Sequence, residues 1–525
     1  MEQLTGIDAS FVYLETARSP MHIGGVIVCK APPGGFNFED YYRLIQSRLA
    51  KSKVFRRRLV SVPMGLDAPY WIEDPNFNLD SHVHHMALPA PGSWEELRKL
   101  AQHIFAIPLD LRRPLWSLTF VEGLDTIPTL PKGTFALIHK VHHSSVDGMG
   151  GVDLISSLFD LTRDWDVEVE EDNWMPDMEP SNVTLLSNAY MHLLAKPKLA
   201  VKTVQSAVSG LWSVGKDVLV EKQAPPTVPF RGPKTRFNVP ISAQRRFGGV
   251  WLPLDQVRAT KDRIPNVTVN DLVLGICSGA LRRYLLKRGE LPDNTLTAMA
   301  PISVRDATSE GGNQVSAMLV PLATHIEDPL ERMASLREYT QRSKVRAQAI
   351  GATTLMDAAK VVPFTLGIAA SRLYSRMEIA KYVRPVFNLV ITNVPGPRQK
   401  LYFGGGELVG SLGMAPIIDG LGLMIVVTSY QDYLTISVTS CPEILPDVQF
   451  FESCLIDSFK ELREAAKKLP KTATRKKATQ KKAVSKKAVR KVKADKAAVK
   501  PRARKKLATK KAPVRKPAKK AGENV

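Results

Sequence analysis

Residues 138–151, reading IHKVHHSSVDGMGG, join a β-branched apolar run to a glycine-rich end. This pattern predicts a β-strand that runs into a tight loop. Because side chains alternate across a strand, the adjacent His142 and His143 are expected to point to opposite faces, so only one can face a given cavity. Neutral imidazole accepts a proton from a hydroxyl near neutral pH. The stretch therefore predicts a catalytic base in a loop that Asp147 orients and Gly148 allows to turn.

The spacing of these residues, HHxxxDG, has a second interpretation. Two histidines at the end of a buried strand, followed by an aspartate in a turn, also occur as plain core and loop residues. We favour the catalytic interpretation because the pattern sits at a strand-to-loop transition and other motifs accompany it.

Charge is unevenly distributed along the 525 residues. Residues 471–525 contain 23 Lys/Arg and 2 Asp/Glu, a net charge of +21, which leaves +1 for residues 1–470. This Lys/Ala-rich segment has no aromatic residues, and such composition predicts a disordered basic tail. The tail is compatible with three roles: a solvated segment, a ligand of anionic membranes, or a ligand of nucleic acid.

The four cysteines form no CxxC pair, and the N-terminus MEQLTGIDASF lacks the features of a secretory signal. No apolar run reaches the ~18 residues of a membrane span. We therefore expect a cytoplasmic protein with no disulfide framework and no cysteine metal site. His82, His84 and His85 form an HxHH cluster, which we interpret as part of a strand and not as a metal site.

Strand and helix patterns recur on both sides of a connection, which indicates an α/β or α+β fold. We divide the chain into an N-terminal subdomain (1–184), a helical and proline-rich crossover (185–240), a C-terminal subdomain (241–468) and the basic tail (469–525). We further predict a helix over 152–161 and another from about 267 to 288 that begins with a capping box, Thr268 with Asp271.

Two further positions are candidates for substrate binding. Gly24 and Gly25 are adjacent in a predicted strand, where glycine indicates a bulge or the close approach of a ligand. Asn270 lies at the start of the helix that the capping box predicts, so its side chain has two interpretations, a hydrogen bond near the substrates or a helix cap.

With these motifs in order, the chain resembles the bacterial wax ester synthases/diacylglycerol acyltransferases of the coenzyme A-dependent, chloramphenicol acetyltransferase-like superfamily. The resemblance covers about residues 1–465 and excludes the basic tail. Its segments are the start near Asp8, PMHIGGV at 20–26, PLW at 114–116, HHSSVDG at 142–148, NDLVL at 270–274, PISVR at 301–305, TNVPGP at 392–397 and DG at 419–420.

The resemblance implies two chloramphenicol acetyltransferase-like subdomains around a central tunnel. It implies acyl transfer from a long-chain acyl-CoA, as substrate, to diacylglycerol or a long-chain alcohol, with no metal or other cofactor. His143 is then the general base and His142 its supporting neighbour, while Asp147 is a structural residue for which Arg305 is the candidate partner. The implied location is peripheral, at the inner membrane or on lipid bodies.

Two alternative functions are also compatible with the sequence. A condensation-type acyltransferase with a carrier-protein-bound donor shares HHxxxDG, although this chain has no carrier domain. A non-catalytic protein that binds lipid surfaces or nucleic acid would act through the basic tail alone. The acceptor, diacylglycerol or fatty alcohol, is left open by the sequence.

Overall fold

A six-stranded mixed sheet carries the predicted motif strand at its centre. The computed structural model describes residues 1–145, 157–165, 174–195, 232–303, 315–350 and 364–470, and the statements below concern these ranges. The strand order of this first sheet is β12-β13-β2-β7-β6-β5, and only the β5–β6 pair is parallel. Its strands are β2 (His22–Lys30), β5 (Val83–Ala87), β6 (Trp116–Glu122), β7 (Thr134–His142), β12 (Tyr402–Phe403) and β13 (Gly406–Met414).

Helices cover both faces of the first sheet, so its central strands are buried on both sides. One face packs on α2 (Phe38–Arg48) and the other on α3 (Trp94–Ala106). Both helices begin with a capping box, Asn37 with Asp40 and Ser93 with Glu96, which satisfies the first backbone N–H groups. This burial explains why β7 is apolar along most of its length and shows no alternation with polar residues.

A second six-stranded sheet has the order β10-β9-β11-β14-β15-β8, with parallel pairing only at β9–β11 and β11–β14. Three helices, α6 (Val269–Lys287), α7 (Pro329–Ile350) and α9 (Val448–Lys468), pack on this sheet and form one large hydrophobic core with it. The elements of this region are β8 (Arg246–Pro253), α5 (Leu254–Arg263), α6 (Val269–Lys287), β9 (Thr297–Ser303), β10 (Val315–Pro321), α7 (Pro329–Ile350), α8 (Phe364–Arg376), β11 (Leu389–Pro395), β14 (Met424–Tyr430), β15 (Tyr433–Ser440) and α9 (Val448–Lys468).

The α6 helix begins as predicted. The hydroxyl of Thr268 accepts the N–H of Asp271, and the carboxyl of Asp271 accepts the N–H of Thr268. Most of the residues of α6 are buried, which fits a helix that is apolar nearly all round.

Chain segments from the C-terminal half complete the N-terminal sheet. β13 pairs with β2 along most of its length and also packs against β14 and β15 of the second sheet. In the crossover, the described residues 232–240 already belong to the second core, where Phe237 is fully buried. The division at 184 and 240 stays a prediction, because sheet membership crosses it and residues 196–231 lie outside the described ranges.

Smaller elements flank the two sheets. A three-stranded sheet, β1 (Glu2–Gln3), β4 (Tyr70–Glu73) and β3 (Arg57–Val60), lies near the N-terminus with α1 (Gly6–Leu14), and α4 (Asn182–Ala195) packs against the 3-10 turn Pro63–Gly65.

The helix predicted over 152–161 is wrong at its end, because residues 157–158 are helical but Asp160 forms a β-bridge with Tyr402. Among the described helices, none is both long and apolar enough to cross a bilayer.

Candidate active site

The two motif histidines lie where β7 ends and the 3-10 turn His143–Ser145 begins. The backbone N–H of His142 donates to the carbonyl of Leu115 (2.9 Å), and that of His143 donates to the carbonyl of Met21 (2.8 Å). Neighbouring segments therefore hold the backbone of both residues in place. The rings have different surroundings, His142 beside Glu15 and His143 beside Phe11.

His142 is fully buried, and both its ring nitrogens have partners. Its Nδ1 lies 3.2 Å from the backbone nitrogen of Ser144 and 2.7 Å from the Ser144 hydroxyl. Since a backbone N–H only donates, Nδ1 is the acceptor, and the ring proton resides on Nε2, which donates to the Glu15 carboxyl at 2.8 Å. This tautomer fits a supporting role for His142.

His143 differs from its neighbour in being only partly buried. Its ring stacks on Phe11 with centroids 3.8 Å apart and planes 15° apart. Phe11 belongs to α1, which packs against the turn that carries His143. The stacking on Phe11 holds the imidazole in a defined orientation, and the residue is only partly buried, as a base that must reach a substrate hydroxyl requires.

The strand that leads to the histidines also buries titratable groups. The Nζ of Lys140 donates to the carbonyls of Ile104 and Ile107 at the end of α3, and the Nε2 of His22 donates to the carbonyl of Phe105 at 2.8 Å. Burial lowers the pKa of Lys140 to about 8, and burial with the nearby Lys140 lowers the pKa of His22 to about 3. Burial likewise lowers the pKa of His139 to about 4. Lys140 and His22 thus connect the end of α3 to β7 and β2, respectively.

The glycine pair is explained by the packing of three strands. A Cβ atom on Gly24 would lie 2.1 Å from the carbonyl oxygen of His139, and one on Gly25 would lie 2.6 Å from that of Leu412. Neither contact is possible for a real side chain, so β2 requires glycine at both positions. The nearby bulge is in the β13 pairing between Leu408 and Gly410, not at the glycine pair. Substrate binding by Gly24 and Gly25 stays a prediction.

Asn270 is not the cap of its helix, because Thr268 holds that position. Its side-chain oxygen instead accepts a hydrogen bond from the Nδ2 of Asn393 at 3.2 Å. Asn393 lies near the end of β11, so the pair links the N-terminus of α6 to the second sheet. Both side chains are partly exposed, and contact of Asn270 with a substrate stays a prediction.

Three of the predicted site residues, Asp147, Gly148 and Arg305, lie outside the described residues, and their predicted roles stay predictions. The HxHH cluster lies as expected beside and within β5, where His85 bonds to Glu122 at 2.9 Å and stacks on Phe38. Across the ranges that the structure describes, no group of three or more His, Cys, Asp or Glu side chains is arranged to hold a metal.

A polar cavity of about 660 Å³ lies in the N-terminal half, and its lining does not include His143. Its arginines already pair with carboxyl groups, Arg58 with Asp74 at 3.2 Å and Arg112 with Asp110 at 3.0 Å. The cavity also contains the imidazole of His82, whose Nδ1 donates to the carbonyl of Trp116 at 2.9 Å. The lining residues are Arg58, Asp74, Asn76, Asn78, Ser81, His82, Asp110, Arg112 and Arg113.

Three site residues were not predicted from the sequence: Glu15, Phe11 and Asn393. Glu15 lies 127 positions before His142, and no local pattern connects the two. Phe11 and Asn393 lie in or next to segments that carry the family resemblance, but the sequence analysis gave neither residue a role. A polar residue just after a short helix, as Glu15 is after α1, was the available signal.

Two solved acyltransferases share this architecture. The wax ester synthase/diacylglycerol acyltransferase from Marinobacter aquaeolei VT8 superposes with a TM-score of 0.64 at 26% identity, covering 89% of this chain and 100% of that one. TRI3 trichothecene 15-O-acetyltransferase from Fusarium sporotrichioides shares the fold with a TM-score of 0.54 at 14% identity, covering 88% of this chain and 94% of that one. The fold and the histidine pair define a chloramphenicol acetyltransferase-like acyltransferase.

Sequence relationships narrow the class further. Residues 4–273 match the wax ester synthase/diacylglycerol acyltransferase catalytic domain, and residues 311–463 match the C-terminal domain of the same enzymes. A putative diacylglycerol O-acyltransferase of Mycobacterium tuberculosis is 32% identical over 90% of this chain and 92% of its own length. O-acyltransferase WSD of Acinetobacter baylyi is 33% identical over 86% of this chain and 94% of its own. The chain belongs to the wax ester synthase/diacylglycerol acyltransferase family, which confirms the resemblance seen in its motifs.

Proposed function

We propose that this enzyme transfers a long-chain acyl group from acyl-CoA to the hydroxyl of diacylglycerol, and also to long-chain alcohols, with His143 as the base. The observation that carries the proposal is the pair of environments at the motif. His142 is fully buried and bonded at both nitrogens, whereas His143 is stacked on Phe11 and only partly buried. Family membership supports the choice of donor and acceptors.

The reaction needs little beyond one base, because a thioester is already activated. His143 takes the proton of the acceptor hydroxyl while the hydroxyl oxygen attacks the thioester carbonyl carbon. The tetrahedral intermediate then collapses, the C–S bond breaks, and the CoA sulfur leaves as a thiolate that takes the proton from His143, which restores the neutral imidazole. Holding both substrates beside one imidazole supplies the rest of the rate enhancement.

We also propose that the enzyme works at the surface of a membrane or lipid body. Diacylglycerol and long-chain alcohols reside there, and the net charge of +21 on residues 471–525 favours anionic surfaces. Nucleic acid is the competing ligand of the tail alone.

An assay of the purified full chain tests the reaction. We expect palmitoyl-CoA with diacylglycerol to yield triacylglycerol, palmitoyl-CoA with hexadecanol to yield wax ester, and free CoA thiol to appear in equal amount. The His143→Ala variant is the matched negative control. Folded enzyme that transfers from an acyl carrier protein but not from acyl-CoA would reject the proposed donor.

A further inference from the structure

An exposed apolar surface occupies the end of α8 and the turn after it. Six large side chains within residues 372–386 are solvent-exposed, including Met377 at 58%, Tyr382 at 60% and Val386 at 56%. Soluble proteins rarely expose apolar side chains in such a contiguous group unless something binds there. The six are Leu373, Tyr374, Met377, Tyr382, Val383 and Val386.

The same apolar surface continues onto a neighbouring element. The 3-10 turn Pro63–Gly65 packs against α8 and also against α4, and Met64 and Leu66 of this region are exposed. The side of α4 opposite its buried Leu185 is apolar as well, with Tyr190, Met191 and Leu194 exposed.

Basic side chains interleave with the apolar ones in the 372–386 surface. This range contains four basic residues and one acidic residue, a formal charge of +3. The acidic residue, Glu378, is an ion-pair partner of Lys381 and lies 4.0 Å from Arg18. The Nζ of the exposed Lys234 donates to the carbonyl of Lys381 at 3.3 Å and adds a further positive charge. The four basic residues are Arg372, Arg376, Lys381 and Arg384, and all are exposed.

One helix separates this surface from the candidate base. α1 packs against α8 on one side and against the turn that carries His143 on the other. The ring of Tyr13 lies so close to Gly367 of α8 that an added Cβ atom would be 3.1 Å from it. Phe11, on the same α1, stacks on His143. The helix that carries the 372–386 surface and the turn that carries the candidate base are therefore connected through α1.

We propose that the 372–386 surface docks on an anionic lipid surface and admits the acceptor lipid to the active site from there. The choice of occupant rests on charge complementarity, because interleaved arginine, lysine and apolar side chains match anionic headgroups and the acyl region beneath them. The delivery of acceptor rests on the proposed function, whereas the docking itself does not.

Site-specific fluorescence distinguishes lipid binding by this surface from lipid binding by the basic tail. All four native cysteines are buried, so Met377→Cys in the full chain provides one accessible thiol for an environment-sensitive dye. With vesicles of phosphatidylcholine and phosphatidylglycerol, we expect the emission to shift to the blue and to be quenched by a spin-labelled lipid. Ile456→Cys, at an exposed apolar position of α9, is the matched control and should show neither effect.

Three results would overturn the docking surface. Sedimentation of the protein with anionic vesicles while the dye at position 377 stays in water would assign binding to the tail alone. A shift of the dye emission without vesicles as protein concentration rises would mark an interface between two copies. An equal shift on vesicles of phosphatidylcholine alone would remove the anionic requirement.

A kinetic variant tests delivery of the acceptor. Met377→Ser with Tyr382→Ser and Val386→Ser, all exposed positions, should raise the KM for vesicle-borne diacylglycerol roughly 10-fold, because apolar burial in the bilayer is lost. The rate with a short, water-soluble alcohol should be unchanged. Equal KM values for vesicle-borne diacylglycerol would reject delivery through this surface. Absence of acyl transfer from every form, with normal insertion of the dye, would reject the proposed function and leave the docking surface intact.

Discussion

The carboxyl of Glu15 accepts a hydrogen bond from the Nε2 of His142 at 2.8 Å, although 127 positions separate the two residues. The other nitrogen of the same ring accepts from Ser144 in the turn that carries His143. One buried imidazole thus connects the residue that follows α1 to the turn of the proposed base. Since Phe11 of α1 also stacks on His143, both motif histidines depend on this N-terminal segment.

Replacing Glu15 should reduce turnover through the position of the turn. In Glu15→Ala, the Nε2 proton of a fully buried ring loses its acceptor, and an unsatisfied buried donor costs about 1–3 kcal/mol. We expect kcat to fall roughly 10-fold or more and Tm to fall with it, whereas Glu15→Gln keeps an acceptor oxygen and should restore most of both. Steady-state kinetics with thermal melts measure the effect, and equal losses in the two variants would contradict it.

His143→Ala should remove most of the activity without unfolding the protein. Loss of a positioned general base typically lowers turnover by about 10²–10⁴. Because His143 is only partly buried, its truncation leaves the core intact. Single-turnover acyl transfer and circular dichroism give the two readouts, and near-normal turnover in a folded variant would reject His143 as the base.

Acid should destabilise the protein before its carboxyl groups titrate. Burial lowers the pKa of His22 to about 3 and of His139 to about 4, and both are near 6.5 in the unfolded chain. Between these values the unfolded state binds the protons and the native state does not, so stability falls as pH falls. Each group then contributes a slope of about 1.4 kcal/mol per pH unit.

Urea unfolding from about pH 6.5 to about pH 4.5 measures this slope. His139→Gln should flatten it by the contribution of one proton. His103→Gln, at an exposed position of α3, is the control. An unchanged slope in His139→Gln would show that this ring titrates alike in both states.

The cap of α6 should contribute measurable stability. Thr268→Ala removes the hydroxyl that accepts the N–H of Asp271, and the loss of such a cap costs about 0.5–2 kcal/mol. Thr268→Ser keeps the hydroxyl and should be nearly neutral. Urea unfolding measures the free energy of unfolding of both variants. If Thr268→Ser lost as much stability as Thr268→Ala, the hydroxyl cap would not be the cause.

Asp147 is a motif residue whose proposed role comes from the sequence alone, and a substitution tests that role. If it holds the loop by pairing with Arg305, Asp147→Asn should lower both activity and Tm. The double variant with Arg305→Met should then lose less than the sum of the two single variants. Full activity and an unchanged Tm in Asp147→Asn would reject the structural role.

The elements with strong local periodicity were predictable from the sequence. The strand that leads into the histidine pair, the strand that contains Gly24 and Gly25, and the helix that begins at the Thr268 cap were each predicted, and the structure has them as β7, β2 and α6. β13 was missed because its sequence, GELVGSLGM, contains three glycines, which weaken any strand pattern. Its glycines are explained only by neighbours, such as Trp251, whose ring occupies the space a side chain at Gly410 would need.

The amino-acid sequence by itself determined the fold class, the family and the position of the histidine pair, because periodicity and short motifs are properties of neighbouring residues. The tertiary structure decided which histidine is buried, that Glu15 orients it, that Asn393 and not the helix end engages Asn270, and which surface is left apolar and basic. Those relationships join residues more than a hundred positions apart, or depend on what α8 leaves uncovered. Such contacts follow from the packing of whole elements, and no local sequence pattern encodes them.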